Sequence, residues 1–230
     1  MKTIGLIGGM SWESTETYYR KLNELVREQK GGLHSAPCII YSVDFHQIEK
    51  WQREGNWHEA GKLLASIAQK LEKAGAEAIF LCTNTMHKVA DCIEPAISIP
   101  FIHIGKVTAK EAMKQGQTNL LLLGTSYTME QEFLKNELEK YGLNISIPKV
   151  EQRQEINRII FNELCLGNIK KQSVEMLEKI IKEFESGGGE GVILGCTELN
   201  LLVKQKSFKI EIYDTTELHV KAALQFMSME

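Results

Sequence analysis

Two short polar segments of this sequence directly follow apolar runs, and both contain side chains suited to proton transfer. The first is LCTNTMH at residues 81–87, and the second is LGCTE at residues 194–198. Polar clusters at the ends of buried strands are common ligand sites in α/β proteins. Their cysteines, Cys82 and Cys196, are candidate bases or nucleophiles because the thiolate form is reactive near neutral pH.

The glycine-rich segment GLIGGMSWEST at residues 5–15 does not have the spacing of a nucleotide-binding loop. Gly5, Gly8 and Gly9 give G-x-x-G-G instead of G-x-G-x-x-G, and the sequence has no phosphate-binding G-x-x-x-x-G-K-[ST] loop. The segment predicts a tight turn, which either presents backbone N–H groups to a small anion such as a carboxylate or binds nothing. A G-x-S-x-G serine-hydrolase turn and clustered metal-ligand histidines are also missing, so we expect no metal site.

The composition is that of an ordinary globular protein, with 230 residues, 43% apolar residues and a net charge of −3. This charge does not favour nucleic acid or an anionic membrane as a partner. No apolar run approaches the roughly 20 residues of a membrane helix, and the opening MKTIGLIGG lacks the pattern of a signal peptide. The five cysteines form no CxxC pair, which favours a reducing compartment, and we therefore expect a cytoplasmic protein.

The hydrophobic pattern alternates between strand-like and helix-like segments along the chain. Helical periodicity is clear after Ser14, a candidate N-cap, up to the glycines at 31–32, and again from Trp57 to Ala74. The strand-like segments are continuously apolar, which is typical of parallel strands covered on both faces. They are TIGLIGG, CIIYSVDF, AIFLC, PFIHI, NLLLLGT, VILGC and IEIYD. The predicted fold class is α/β.

The sequence also repeats itself. AEAIFLCTNT (76–85) aligns without gaps with GEGVILGCTE (189–198), an offset of 113 residues. IGLIGG matches LLLLGT at an offset of 116, and PFIHIGKVTAKEAM matches EIYDTTELHVKAAL at 111. One such match is the generic likeness of βα units, but the ordered series favours duplication. We predict two pseudosymmetric halves, residues 1–98 plus 210–230 and residues 99–209, with the site in the cleft between them.

The register of this repeat places Thr83, not Cys82, on Cys196. Successive strand side chains point to opposite faces, so Cys82 is predicted to point into the packing. Cys196 lies at a predicted strand-to-helix junction, where a helix N-terminus would lower the thiol pKa from about 8.5. A thiolate there could abstract an α-proton; the alternative is a buried core thiol. His87 is either a helix-end residue or an orienting partner for the site.

On these residues the sequence resembles the aspartate/glutamate racemase family, and most closely its L-aspartate/glutamate-specific, broad-specificity amino-acid racemase branch. The likeness covers essentially the whole chain. It is carried by MKTIGLIGGMSWEST, GGLHSAPCIIYSVDFHQIE, LCTNTMHKVAD, LLGTSYTMEQEF, ELCLGNI and GVILGCTELNLLV. The family implies a cofactor-independent racemase with two similar α/β halves, usually a homodimer. Two cysteines, in C-N-T and G-C-T segments, exchange the α-proton as general acid and base.

Carried over to this chain, the second cysteine is Cys196, and the first position is Thr83 because the sequence reads T-N-T at residues 83–85. The L-specific branch departs from the two-cysteine pattern in the same way. The resemblance also implies a set of residues that hold the substrate carboxylates: Met10 (through its backbone), Gln52, Thr83, Asn84, Thr85 and Thr197. Arg53 is a further basic candidate. No cofactor, metal, nucleic acid or membrane is implied.

A threonine hydroxyl without assistance is a poor base, so the resemblance implies a kinetically lopsided racemase acting on L-aspartate or L-glutamate. In the reverse direction Thr83 would need help from a water molecule or from His87. Two other functions stay open: a decarboxylase or cis–trans isomerase of related architecture, and a non-catalytic protein that binds small carboxylates.

Overall fold

Eight β-strands and ten α-helices alternate along residues 1–229, the part of the chain that the computed structural model describes. They form two compact units of similar size. The first unit comprises Met1–Ile104 and His219–Glu230, and the second comprises Gly105–Leu218. Each unit contains one parallel sheet of four strands. The α/β fold class predicted from the uninterrupted apolar strands is therefore confirmed.

The sheet of the first unit has the strand order β2-β1-β3-β4. Its strands are β1 (Ile4–Gly8), β2 (Cys38–Ser42), β3 (Ala78–Leu81) and β4 (Phe101–Ile102). The helices beside it are α1 (Trp12–Lys30), α2 (Phe45–Glu54), α3 (Trp57–Lys73), α4 (Ala90–Ile93) and α10 (Thr215–Met227), the last of which begins in the second unit. Short 3-10 turns cover Thr85–Val89 and Glu94–Ala96.

Alternate side chains of these strands fill two cores on opposite faces of the first sheet. Ile7 and Ile79 pack with α3 on one face, whereas Leu6, Phe80 and Cys82 pack with α1 and α10 on the other. Because both faces of the sheet are covered, the strands are apolar throughout and do not alternate between apolar and polar residues.

The sheet of the second unit has the equivalent order, β6-β5-β7-β8. Its strands are β5 (Asn119–Leu123), β6 (Asn144–Ser146), β7 (Gly191–Leu194) and β8 (Glu211–Asp214). The helices are α5 (Ile104–Lys114), α6 (Ser126–Glu130), α7 (Glu132–Glu139), α8 (Val150–Asn162) and α9 (Lys171–Ser186), with 3-10 turns at Leu164–Leu166, Thr197–Leu201 and Gln205–Ser207. Its two faces are likewise both covered by apolar side chains.

The structural register agrees with the sequence repeat. Ile4 is paired with Ala78 across β1 and β3, and Leu120 is paired with Gly191 across β5 and β7. These are the pairs related by the offsets of the alignment. The aligned glutamates make equivalent hydrogen bonds at the amino-terminal ends of the central strands. Glu77 accepts a hydrogen bond from the Thr3 N–H, and Glu190 accepts one from the Asn119 N–H, both at 2.8 Å.

Two local predictions need correction. The predicted boundaries after residues 98 and 209 are misplaced, because β4 pairs with β3 and β8 pairs with β7, so each strand belongs to the unit that precedes it in the chain. The N-cap of α1 is Ser11, whose hydroxyl accepts the Ser14 N–H, and not Ser14 itself. Within residues 1–229 no helix is both long enough and apolar enough to cross a bilayer.

Candidate active site

The polar segments of each unit lie at the carboxyl ends of its two central strands. In the first unit, β1 leads into GGMS and β3 leads into CTNT; Ile7 of β1 is directly paired with Leu81 of β3. In the second unit, β5 leads into GTSY and β7 leads into GCTE, with Leu123 paired with Leu194. Neighbouring parallel strands end at the same edge of a sheet, so both segments of each unit lie at one edge, the usual ligand side of an α/β sheet.

Cys82 is fully buried and belongs to the apolar core between the first sheet and helices α1 and α10. The prediction that it points into the packing is therefore confirmed. Burial raises the pKa of its thiol far above the usual range, with a smaller contribution from Cys38. Thr83, the next residue, is half-buried, and Asn84 behind it is buried. Thr83 and Thr85 are the half-buried hydroxyl side chains of this segment.

His87 holds the backbone of this segment through both of its ring nitrogens. The Ile104 N–H donates to Nε2 at 3.1 Å, so Nε2 is unprotonated and Nδ1 carries the hydrogen, which it donates to the Thr83 carbonyl at 2.8 Å. Burial, together with His103 and His219, lowers the pKa of His87 well below its usual value. Of the two sources of help suggested for Thr83, a water molecule or His87, His87 is unsuited, because its basic nitrogen accepts a backbone N–H.

His219 makes a similar pair of contacts behind the strand end. Its Nε2 lies 2.7 Å from the Ile102 carbonyl and its Nδ1 lies 2.8 Å from the Tyr18 hydroxyl. The carbonyl can only accept, so Nε2 carries the hydrogen and Nδ1 accepts the tyrosine proton. Burial is the main cause that lowers the pKa of His219 to about 3. His87 and His219 are thus neutral supports of the site, and nothing in the sequence pattern singled out His219.

One backbone N–H of the turn after β1 is hydrogen-bonded to a side chain of helix α1. The Gly9 N–H donates to the Thr15 hydroxyl at 2.8 Å, so this donor does not face an anion, contrary to the simplest version of the prediction. A side chain at Gly9 would collide with the Val43 backbone, and its φ of 88° also favours glycine. The side chain of Met10 is buried in the core, which leaves its backbone as the part that can contact a ligand, as the resemblance implies.

Of the two polar residues predicted on α2, one lies against the turn after β3 and the other lies at the surface. The Gln52 side chain donates from Nε2 to the Met86 sulfur at 2.9 Å, which places it against the 3-10 turn that begins at Thr85. Arg53 pairs with Glu49 one turn earlier, at 3.0 Å, and its side chain is 64% exposed. Such an exposed pair contributes little to stability and leaves Arg53 at the surface of α2.

Cys196 follows β7 after Gly195, and its thiol is hydrogen-bonded within its own loop. Its Sγ donates to Oε2 of Glu198 at 2.9 Å, and the Thr197 hydroxyl donates to the same oxygen at 2.7 Å. A side chain in place of Gly195 would collide with Thr128 of α6, so glycine permits the close approach of β7 to the end of β5.

The pKa of Cys196 is raised well above its usual value, first by burial and then by the Glu198 carboxylate. The prediction of a lowered pKa is wrong. The segment after Cys196 is a 3-10 turn of five residues, Thr197–Leu201, so the field of a long helix is missing. The Glu198 N–H does lower the pKa, but by less than burial and the carboxylate raise it. In this structure Cys196 is therefore a thiol.

A buried acidic residue anchors a neighbouring turn. Glu163, at the end of α8, accepts hydrogen bonds from the Ser173 hydroxyl at 2.6 Å, from Arg158 at 2.8 Å and from Lys170 at 3.2 Å. These donors lower its pKa to about 2. The turn Leu164–Leu166 that follows packs against the turn after Cys196. Glu163 is the first residue of the ELCLGNI segment, one of the segments that carry the family resemblance.

The predicted site residues are thus divided between the two units at equivalent positions. Met10, Gln52, Thr83, Asn84 and Thr85 lie in the first unit, and Cys196 and Thr197 lie in the second. Thr83 and Cys196 each stand two residues after the last residue of a central strand, Leu81 of β3 and Leu194 of β7. Within residues 1–229 no three His, Cys, Asp or Glu side chains are grouped in a way that could hold a metal ion.

Comparison with known proteins identifies the family to which this arrangement belongs. The family model for Asp/Glu/Hydantoin racemases matches residues 7–223. The chain belongs to the Asp/Glu/Hydantoin racemase family. It is an enzyme of the amino-acid racemase class, and its paired sheets are those of the two-domain racemase fold, which glutamate racemases from Francisella tularensis (TM-score 0.68) and Aquifex pyrophilus (0.61) share.

Three similar proteins support the assignment over the whole chain. The chain is 26% identical over 235 residues to the broad specificity amino-acid racemase RacX of Bacillus subtilis, covering 96% of each. A Yersinia pestis protein, described with its crystal structure as a candidate Asp/Glu racemase, is 49% identical with a TM-score of 0.96. An aspartate racemase homologue from Pyrococcus horikoshii is 41% identical with a TM-score of 0.89; both structures are covered fully, as is this chain.

Proposed function

We propose that this enzyme racemises acidic amino acids without a cofactor, converting L-aspartate or L-glutamate to the D form. The observation that carries the proposal is the equivalence of Thr83 and Cys196. Thr83 follows β3 and Cys196 follows β7, which are the corresponding central strands of the two repeated units. Racemisation needs a proton donor and a proton acceptor on opposite faces of one carbon. In this proposal Thr83 and Cys196, at equivalent positions of the two repeated units, are the two groups.

The residues take the following roles in this proposal. Cys196 removes the α-proton of the L enantiomer, and the Thr83 hydroxyl returns a proton to the opposite face of the carbanion. The carboxylates are held by hydrogen bonds from the remaining predicted residues: the Met10 backbone, Gln52, Asn84, Thr85 and Thr197, the last through its backbone N–H because its hydroxyl donates to Glu198. Hydrogen bonds aimed at the developing charge stabilise the carbanion without an electron-withdrawing cofactor.

The two directions are not equally easy. Starting from the D enantiomer, Thr83 would have to act as the base, and a hydroxyl is a far weaker base than a thiolate. Enantiomers have equal free energies, so kcat/KM must be the same in both directions. The asymmetry therefore appears in kcat and KM separately, and we expect a higher kcat and a higher KM with the L enantiomer.

Solvent exchange tests this proposal directly. In deuterium oxide a racemase incorporates deuterium at Cα of L-aspartate or L-glutamate and accumulates the D form, which NMR and chiral chromatography detect. A decarboxylase would release carbon dioxide, and a protein that only binds carboxylates would gain thermal stability without exchange. The proposal fails if no exchange occurs, or if Cys196→Ala exchanges at the wild-type rate.

We also propose that the enzyme is a homodimer that works in the cytoplasm. The edge strand β2 of the first sheet exposes the apolar side chains of Ile40 and Tyr41. An exposed apolar sheet edge is a ready surface for a second copy of the chain. All five cysteines are free, as a reducing compartment favours. Light scattering should give twice the chain mass, and Ile40→Lys should give monomers whereas Met113→Lys, at an exposed position of α5, should not.

A further inference from the structure

Glu198 was not among the residues that the sequence singled out, yet its carboxylate is in direct contact with the proposed catalytic thiol. Its Oε2 atom accepts the Cys196 thiol proton at 2.9 Å and the Thr197 hydroxyl proton at 2.7 Å. The Glu198 N–H also hydrogen-bonds the thiol. The half-buried Glu198 side chain therefore turns back onto the two residues that precede it.

This contact bears on an unsolved step of the proposed reaction. Cys196 must be a thiolate when it removes the α-proton, but the structure holds it as a thiol. Its proton therefore has to leave before each turnover in the L-to-D direction. The charged or titratable groups that affect this thiol are Glu198 and, more weakly, Cys165 of the neighbouring turn. Of these, only Glu198 has an acceptor atom in contact with the thiol proton.

We propose that Glu198 is the proton acceptor for the Cys196 thiol and thereby generates the base of the racemase. The inference rests on the proposed function and assigns to it a residue beyond the Thr83 and Cys196 pair. The Thr197 hydroxyl holds the accepting oxygen in line with the thiol.

Every proton in the proposed step has a donor and an acceptor. The S–H bond of Cys196 breaks and an O–H bond forms on Glu198, which leaves a thiolate beside a neutral carboxylic acid. The thiolate then takes the α-proton, so the Cα–H bond breaks, an S–H bond forms and the electron pair stays on Cα. Thr83 delivers its hydroxyl proton to the other face. Glu198 returns its proton through water, and Thr83 regains one from water.

A thiolate next to Glu198 is scarce but strongly basic. General-base efficiency rises with the pKa of the base, and the α-proton of an amino acid is only weakly acidic. The carboxylate thus has two effects of opposite sign: its charge disfavours the resting thiolate, and its ability to accept the proton opens the route to the reactive thiolate. A residue that only shaped the loop would have neither effect on turnover.

Glu198→Gln separates these effects, because glutamine keeps the size and a hydrogen-bond acceptor but cannot take the proton. Thiol ionisation is followed by the pH dependence of iodoacetamide labelling, read by mass spectrometry on the peptide that contains Cys196. We expect the variant thiol to ionise at lower pH than in the wild type, while kcat for L-aspartate or L-glutamate falls by roughly 100-fold. Glu175→Gln, which removes an exposed carboxylate of α9, should change neither quantity.

A variant that ionises more readily and turns over as fast as the wild type, or faster, would overturn the inference. Glu198→Asp keeps the carboxylate and provides the second test, particularly if melting curves show that Glu198→Gln is unfolded. We expect Glu198→Asp to keep kcat within about tenfold of the wild type; a loss as large as that of Cys196→Ala would refute the role. Failure of the proposed function is distinguishable: the wild type would then show no exchange, or Cys196→Ala would exchange at the wild-type rate, whereas failure of this inference alone leaves a racemase that needs Cys196 but not Glu198.

Discussion

His87 donates a hydrogen bond from Nδ1 to the Thr83 carbonyl over 2.8 Å, and its other ring nitrogen accepts the N–H of Ile104. One side chain thus connects the loop after β3 with Ile104, within the first unit. The imidazole is buried and neutral, and it acts on the position of Thr83 through the backbone.

Replacement of His87 by leucine should therefore impair folding and positioning, not proton transfer. The variant loses both hydrogen bonds, and we expect the free energy of unfolding in urea to fall by about 2–4 kcal/mol. Activity should decrease in both directions, with the shape of the kcat pH profile unchanged. If His87 were instead the base that assists Thr83, kcat from the D enantiomer would fall more than kcat from the L enantiomer, and the kcat pH profile would change shape.

The stability of the first unit should depend on pH through its buried histidines. Folding lowers the pKa of His219 to about 3 and lowers that of His87 as well, so both stay neutral when the unfolded chain takes up protons. As pH falls below about 6.5 the folded state should lose about 1.4 kcal/mol per pH unit for each such histidine. Urea unfolding between about pH 7 and pH 5 measures the slope, above the range in which most carboxylates titrate.

A matched pair of variants identifies the histidines responsible for this slope. His219→Gln should make it shallower, although the variant is less stable at neutral pH. His58→Gln, at an exposed position of α3, should leave the slope as it is. A wild-type stability that stays constant from about pH 7 to pH 5 would show that the buried histidines take up protons in the folded state.

The two strand-end cysteines should respond differently to mutation. Cys82→Ala removes a buried thiol from the core, and we expect it to cost about 1 kcal/mol of stability with little change in kcat. Cys196→Ala should lower kcat by at least roughly 100-fold with little change in stability. Turnover assays and urea unfolding of both variants decide this, and an inactive but stable Cys82→Ala would reverse the assignment.

Labelling provides a second view of the same difference. In the native protein iodoacetamide should react first at Cys165, which is exposed, and should leave Cys82 unmodified until the chain unfolds. Peptide mass spectrometry before and after addition of urea measures this. Early modification of Cys82 would mean that the core around it opens readily.

Thr83→Cys should restore the two-thiol arrangement that the family resemblance implies. Because a thiol is a better acid and, as thiolate, a better base than a hydroxyl, kcat from the D enantiomer should rise by roughly tenfold or more. The kcat values of the two directions should approach each other, as circular dichroism of both reactions would show. Thr83→Ser keeps the hydroxyl and should keep the asymmetry. An unchanged Thr83→Cys enzyme would argue against contact between residue 83 and substrate.

The sequence was sufficient for the features that depend on local periodicity. Continuous apolar runs separated by amphipathic helices required parallel strands covered on both faces. The period of two residues along a strand placed Cys82 in the core. The alignment of Thr83 with Cys196 was predicted from the sequence repeat alone, and the pairing register of the central strands is the same in both units.

Protonation states and supporting contacts were decided only by the tertiary structure. Tyr18 and His219 are 201 residues apart in the chain, and no spacing rule connects them. Glu198 is two residues from Cys196 in the chain, yet the strand-to-helix position of Cys196 predicted a lowered thiol pKa, whereas burial and the Glu198 carboxylate raise it. A thiol pKa depends on burial and on the direction in which a nearby carboxylate points. Tertiary packing determines both the burial of the thiol and the direction of the carboxylate, so strand and helix periodicity carry no information about them.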